Sequence, residues 1–355
     1  DFFPDILHTH DWQTALAAIY LKQQYRYIER YRSIKSVHTI HNIEYQGVYD
    51  FNILDDVFGL SPDEASIVEY KGAVNLTKGA IVCCDRLTTV SPRYAKEIQT
   101  ESYSSGLYYI INQYSYKVSG ILNGIDVGYY DPAADPALPA NFTADDLTGK
   151  AVCKAELAAS LGLPDKPDAP MITMISRLAS HKGFDLVTAV IEEIISTTDV
   201  QLVVLGKGEI QYERYFTRLS EKYPDKVKAV IDYNKDLSKR IYAAGDIFVM
   251  PSKSEPCGLA QMICSRYGSV PLVRETGGLY DSIKPYDGAS GEGNGFTFAN
   301  YNAHDMLYVL REMLSLYADD RAAWDKLVRK IMNIDFSWKV SAGEYIKMYE
   351  EVCDL

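Results

Sequence analysis

Three short segments hold most of the residues able to do chemistry. Ser254–Leu259 carries a carboxylate, Glu255, whose backbone the following Pro256 confines to extended conformations, with Cys257 and Gly258 beside it. Ser176–Gly183 carries two cations five residues apart, Arg177 and Lys182. Thr276, Gly277 and Gly278 make a glycine-rich turn between an apolar run and a short helical pattern. Arg offers a planar fork to phosphate oxygens and Lys a point charge, and the N–H groups at a helix start favour an anion. A carboxylate among them accepts bonds from sugar hydroxyls or stabilises positive charge growing on an anomeric carbon. These are the parts needed to hold a sugar joined to a diphosphate and to help the diphosphate leave. Each segment also has a plainer reading: solvated surface cations, a loop turn, and an N-cap carboxylate for the next helix, the last compatible with a place in a site.

The front of the chain adds His8-Thr9-His10-Asp11-Trp12 and His38-Thr39-Ile40-His41-Asn42, each at the end of an apolar run. Four of the six histidines lie here, but their spacing matches no zinc ligand set, and no metal is expected. Asp11 and His41 read as polar residues lining a cleft, His8 and His38 as core histidines with satisfied rings. Gly206-Lys207-Gly208 follows a strand pattern but lacks the third glycine of a dinucleotide fingerprint, so it reads as a tight strand-to-helix turn and NAD binding is rejected. No cofactor is expected.

A net charge of −12 argues against nucleic acid as partner, while a local cluster of cations still admits a small anionic ligand. No apolar run approaches the roughly 20 residues of a membrane span, so no membrane partner is expected. The six cysteines show no zinc spacing and read as reduced thiols of a cytoplasmic protein. The 28 tyrosines suit amphipathic faces and packing, and abundance singles out none of them.

The elements that must position these residues alternate strand and helix. Strands are expected at Ile6–His8, Val37–Ile40, Arg86–Val90 and Gly120–Leu122, with Ser91-Pro92 as N-cap and first residue of a helix through Tyr94 and Ile98. Residues 127–150, with Pro132, Pro136 and Pro139 and no periodicity, read as a linker. A cleaner series follows: strands at Met171–Met174, Gln201–Leu205, Val227–Ile231, Asp246–Met250 and Val270–Val273, with helices between them. This alternation means parallel βαβ units, hence an α/β chain of two Rossmann-like domains facing a cleft. The expected spans are 1–126 for the first domain, 127–150 for the linker, 151–334 for the second, and 335–355 for a helix crossing back to the first.

In this order and spacing, HDWQT (10–14), TIHNIEYQG (39–47), TTVSPRYAKEI (88–98), ILNGID (121–126), SRLASHKG (176–183), EPCGL (255–259) and RETGGLYD (274–281) resemble the bacterial glycogen synthase and plant starch synthase family, retaining glucosyltransferases of the GT-B fold. The resemblance implies transfer of glucose from ADP-glucose to the non-reducing end of an α-1,4-glucan, glycogen or starch, with retained configuration and no metal. Carried over by position, Arg177 and Lys182 bind the pyrophosphate, Glu255 lies beside the transferred glucose with Cys257 and Gly258 in the same loop, and the backbone of Thr276, Gly277 and Gly278 holds phosphate or glucose hydroxyls. His41 and Asn123 contact the glucosyl unit, Asp11 lines the acceptor side, and Tyr233 packs near the nucleotide. Ala260 and Gln13 depart from residues usual in the family, beside the site rather than in its charges.

The family also opens with a strand and a Lys-x-Gly-Gly-Leu loop that this chain does not contain; the chain begins at Asp1 without Met. The resemblance therefore implies an incomplete first domain with an exposed sheet edge, a chain cut at its front, and little or no synthase activity for the chain as written. The setting it implies is the cytoplasm, or a plastid for a plant protein. Two other readings remain: a retaining GT-B transferase using UDP-sugars, of the sucrose-synthase kind, and a glucan-binding fragment that does no chemistry.

Overall fold

The computed structural model describes residues 3–354; Asp1, Phe2 and Leu355, the outer ends of the spans expected for the first domain and the closing helix, lie outside them. The chain divides into two compact units after Asn123 and after Trp338. The stretch before Gly124 and the stretch from Lys339 onward form the first, and Gly124–Trp338 the second.

In the first unit, strands β1 (Ile6–His10), β2 (Lys35–Ile40), β3 (Val48–Tyr49), β4 (Glu69–Tyr70), β5 (Ala73–Asn75), β6 (Arg86–Thr89) and β7 (Val118–Gly120) make two sheets. The main one is parallel, in the order β1-β2-β6-β7, and a small antiparallel sheet has the order β3-β5-β4. The strand expected at Gly120–Leu122 lies two residues earlier. Beyond Gly120 only the Ile121 N–H still reaches across, to the Thr89 carbonyl at 2.9 Å. Ser91 caps the helix Pro92–Glu97 by accepting from the Tyr94 N–H. The helix Asp11–Gln23 lays Ala15 and Ile19 against Leu76, Ala80 and Cys83 of the helix Leu76–Cys83. The closing helix Trp338–Cys353 buries Met348 and Val352 against Val37 and Ile121.

The histidines at this sheet differ in how well they are satisfied. His8 bonds through both ring nitrogens, Nδ1 with the Tyr349 hydroxyl at 2.7 Å and Nε2 with Thr39 Oγ1 at 2.6 Å. His38, fully buried, is only half satisfied, contrary to expectation. Thr9 Oγ1 donates to the Val37 carbonyl at 3.2 Å and so accepts from His38 Nδ1–H at 2.8 Å, while His38 Nε2 has no partner among the described residues. Protonating that nitrogen would bury a charge. Burial first, then the neighbouring histidines, push His38 down to about 3 and His8 to about 4.

A histidine whose pKa is lower folded than unfolded binds fewer protons in the folded state. Its contribution to stability is whole above the ordinary value of about 6.5 and lost as pH falls toward the folded value. Melting of the first unit is therefore expected to drop steadily between about pH 6.5 and pH 4, and His38→Asn, which keeps a polar atom facing Thr9, should flatten that slope. Thermal melts by circular dichroism across this range would check it; an unchanged slope in the variant would refute the assignment to His38.

The second unit holds one six-stranded parallel sheet built from β8 (Met171–Ile175), β9 (Gln201–Leu205), β10 (Val227–Val230), β11 (Ile247–Met250), β12 (Val270–Arg274) and β13 (Phe296–Phe298). Its order is β10-β9-β8-β11-β12-β13. The strands are near-continuous apolar runs because helices cover both faces. The helix Phe184–Thr197 shows the matching period, burying Phe184, Val187, Ile191, Ile194 and Ile195.

Residues 127–150, expected as a linker, carry buried groups bound into this second unit. Asp135 accepts from the Tyr267 hydroxyl and from Lys239 Nζ, and Lys150 Nζ donates to the carbonyls of Ala243, Gly245 and Tyr267 at 2.7–3.2 Å. Low periodicity here marks irregular backbone, not freedom.

Candidate functional site

The strand order of the second sheet reverses between β8 and β11, and the two pair only through Ile247–Ile172 and Phe248–Thr173. Both strands run on past that pairing, to Ile175 and Met250, so their carboxyl ends diverge. Open α/β sheets bind ligands in such a crevice. Arg177 and Lys182 follow β8, and Glu255 follows β11.

Lys182 Nζ donates to Glu255 Oε2 at 2.7 Å, and Ser252 Oγ donates to the same oxygen at 3.0 Å. Glu255 is 7% exposed. The N-cap reading of Glu255 does not hold, because the next helix starts at Ala260 with Leu259 as its N-cap. The loop carrying Glu255 is held from beneath by Arg274, whose Nε donates to the Ser252 carbonyl at 2.8 Å and whose Nη2 donates to that of Lys253. Sequence reasoning gave Arg274 no role. A lone buried cation closing the apolar strand VPLVR was the signal.

Gly277 and Gly278 lie directly on this loop. A Cβ on Gly278 would stand 1.9 Å from the Cys257 carbonyl oxygen and one on Gly277 2.0 Å from that of Glu255, and Gly277 sits at φ +43°. Only glycines let the two backbones come so close. The same closeness engages two of the turn's N–H groups within the protein. The helix Gly277–Ser282 has six residues; the Thr276 N–H donates to the Arg274 carbonyl at 2.9 Å, and the Gly278 N–H is shared between the carbonyls of Glu255 and Pro256, each at 3.1 Å. Those donors are already committed to the protein. Cys257 is 7% exposed in the same loop, and the Gln261 amide donates to its carbonyl at 3.2 Å; Gly258 adopts φ +70°.

Beside the ion pair, a cavity of about 550 Å³ opens over the carboxyl ends of β8, β9 and β10. Arg177 and Tyr233 line it, together with Lys207, Lys235 and Lys239, and Asp232 is the one carboxylate in the lining. With the charge of Lys239 met by the buried Asp135, three cations against one carboxylate make this pocket positive on a chain of net charge −12. Lys239 is partly engaged, donating to Asp135 at 3.2 Å and lying 3.7 Å from the centroid of the Tyr129 ring. Tyr233 is 79% exposed, its ring available to a ligand. Arg177 Nη2 reaches His181 Nε2 at 3.5 Å, and the His181 carbonyl accepts from the Lys253 N–H at 2.8 Å, which ties the cavity to the loop that precedes Glu255.

Gly206 makes the turn expected of it. A Cβ there would meet the Ser176 carbonyl oxygen at 2.0 Å, so the two loops run side by side. The cavity-lining Lys207, Lys235 and Lys239 were missed, because a lysine in a turn, or two on the helix Lys235–Ala244, look like any solvated cations.

In the first unit, Asp11 and His41 meet at the carboxyl ends of β1 and β2. Asp11 Oδ1 accepts from the His41 N–H at 2.7 Å, and Asp11 holds φ +53°, a conformation costly for a non-glycine residue. Asn123 is half-buried, and its Oδ1 has no partner among the described residues. Among the described residues no group of three or more His, Cys, Asp or Glu could hold a metal ion.

Residues 1–113 match the family described as starch synthase catalytic domain, and residues 158–331 the one described as glycosyl transferases group 1. The glycogen synthase of Clostridioides difficile is 44% identical across all of this chain and 74% of its own length, and that of Bacillus cereus strain ATCC 10987 is 43% identical with the same coverage. The catalytic domain of starch synthase IV from Arabidopsis thaliana, solved bound to ADP and acarbose, superposes with a TM-score of 0.88 at 38% identity, covering 99% of this chain and 73% of that one. Sucrose-phosphate synthase from Thermosynechococcus elongatus, at 19% identity and a TM-score of 0.61, shares the fold alone. With its α/β units built on parallel sheets, this chain is a GT-B glycosyltransferase and belongs to the glycogen synthase and starch synthase family.

Proposed function

We propose that the chain moves glucose from ADP-glucose to the 4-OH at the non-reducing end of an α-1,4-glucan, with retention. The observation that carries this reading is the cavity at the ends of β8, β9 and β10, where Arg177, Lys207 and Lys235 face one carboxylate beside the exposed ring of Tyr233. A nucleoside diphosphate fits such a lining: the base stacks on Tyr233 and the phosphates neutralise the cations. The ADP bound in the starch synthase IV neighbour supports an adenine nucleotide over a uridine one.

Arg177 and Lys182 take the pyrophosphate, and Glu255, held 2.7 Å from Lys182, faces the transferred glucose. As the bond between the anomeric carbon and the phosphate oxygen breaks, negative charge gathers on the diphosphate and positive charge on the sugar. The cations stabilise the first and the carboxylate the second, both more in the transition state than before it. The acceptor oxygen bonds to the anomeric carbon from the side the phosphate leaves, and its proton passes to the departing phosphate oxygen. His41 and Asn123 contact the glucosyl unit, Asp11 lines the acceptor side, and Gly277 and Gly278 act by letting the Glu255 loop sit where it does.

The test is nucleoside diphosphate release from ADP-glucose and from UDP-glucose, each with glycogen, beside retention of the protein on a glycogen gel. ADP-glucose is the expected donor. Preferential use of UDP-glucose would replace this reading with the UDP-sugar transferase. Retention on the gel with no release from either donor would leave a glucan-binding fragment.

A further inference from the structure

His41 is gripped from two consecutive residues at the junction of β1 and the helix Asp11–Gln23. Its backbone N–H is held by Asp11 at 2.7 Å, and its ring Nε2 lies 3.0 Å from Nδ1 of His10. The second contact has no part in the roles given so far. We propose that His10 is a positioning residue for His41, fixing through this single ring-to-ring hydrogen bond the tautomer and the plane that His41 presents to the sugar; this rests on the reading that His41 faces the transferred glucose.

A hydrogen bond between two neutral imidazoles carries one proton, so each ring's tautomer dictates the other's. With both rings in the ordinary Nε2–H form, His41 donates to His10 Nδ1 and keeps its own Nδ1 lone pair as an acceptor for a sugar hydroxyl. His10 is itself held. Its ring stacks on that of His8 at 4.3 Å between centroids, and its backbone N–H donates to Thr14 Oγ1 at 2.6 Å. His8 in turn is fixed by Tyr349 and Thr39 through both ring nitrogens. The stack therefore ends in a fully bonded ring that has no freedom to turn, and the order it imposes on His10 passes to His41. Burial foremost, then His41, lowers the His10 pKa against an opposing pull from Asp11, which favours the neutral pair this bond requires.

Three variants test the proposal: His10→Phe keeps an aromatic ring for the stack and removes the hydrogen bond, His10→Asn returns a polar atom near the place of Nδ1, and His41→Ala removes the ring being positioned. His10→Phe is expected to lower kcat by about tenfold or more with KM for the glucan nearly unchanged, as loss of an orienting partner does, and His10→Asn to recover most of that loss. Nitrogen-15 NMR of the His41 ring should report one tautomer in the parent and in His10→Asn, and a mixture in His10→Phe. The proposal is overturned if His10→Phe stays within about twofold of the parent, or if it loses activity with no rescue by Asn and an unchanged His41 spectrum. His41→Ala separates the two readings. If it keeps normal turnover, His41 does not face the reacting sugar and the proposal falls with it; if it is inactive while His10→Phe is normal, only the proposal falls.

Discussion

Lys182→Ala, in a version of the protein that also carries the family's Lys-x-Gly-Gly-Leu loop, is expected to lower turnover by about 100-fold or more, because a cation aimed at leaving-group charge acts mainly in the transition state. It should also cost stability, which Arg177→Ala should not. Lys182 is the salt-bridge partner of a carboxylate that is 7% exposed, and without it Glu255 keeps, among the described residues, the Ser252 hydroxyl. Leaving a buried polar group short of its partner costs on the order of 1–3 kcal/mol. Among the described residues the Arg177 side chain bonds to His181 at 3.5 Å and lines an open cavity, so Arg177→Ala should lose turnover at nearly unchanged melting temperature. The double variant Lys182→Ala, Glu255→Gln should regain stability but no activity. Steady-state kinetics and thermal melts on the four proteins decide it; near-normal turnover in either single variant would remove that residue from the leaving-group role.

A second large effect is expected far from the chemistry. Lys154 Nζ donates to Asp246 Oδ2 at 2.8 Å, with side chains 10% and 7% exposed, and the same oxygen accepts from the Met171 N–H at the start of β8. Burial alone would lower the Lys154 pKa, but the Asp246 charge, with the Tyr317 hydroxyl beside it, outweighs that and holds it above its ordinary value. A lysine with a raised folded pKa contributes stability that is whole below its ordinary pKa of about 10.5 and lost only as pH rises through the folded value, so the pair is fully in force at neutral pH. Asp246→Ala leaves a buried ammonium to the neutral acceptors of Ala169, Pro167 and Tyr317, without its counter-charge, strands the Met171 N–H, and should cost about 3–5 kcal/mol, or roughly 10 °C of melting temperature. Lys154→Met combined with Asp246→Asn should recover part of this, since no uncompensated charge remains. Calorimetry showing Asp246→Ala melting within about 2 °C of the parent would refute the account.

Much of the fold was legible because its signals are local. Apolar runs such as Gln201–Leu205 and the Ser91-Pro92 helix start need no distant partner to be read. The positions of Arg177, Lys182 and Glu255 were legible by type and place, a few residues past strand ends of an open sheet. What escaped were facts made by contact across the chain. That the Gly278 N–H is spent on Glu255 and Pro256, that residues 127–150 feed Asp135 to Tyr267 and Lys239, and that Arg274 props the Glu255 loop are meetings of segments 22 to 132 residues apart. No local pattern encodes them. His10 looked like one more polar residue of a motif until the ring of His41, 31 residues on, was beside it.

The sparse pairing of β8 with β11 bears on the order in which the enzyme comes into being. Lys182 and Glu255 are 73 residues apart and meet only across that seam. Either half of the sheet, β8 to β10 or β11 to β13, can form from its own neighbouring segments without bringing them together. Contacts between residues so distant along the chain are slow to form because the intervening loop must first be closed. Newly made or refolding protein should therefore show native-like backbone signal well before it shows turnover, with the lag set by the zipping of two residue pairs at the middle of the sheet.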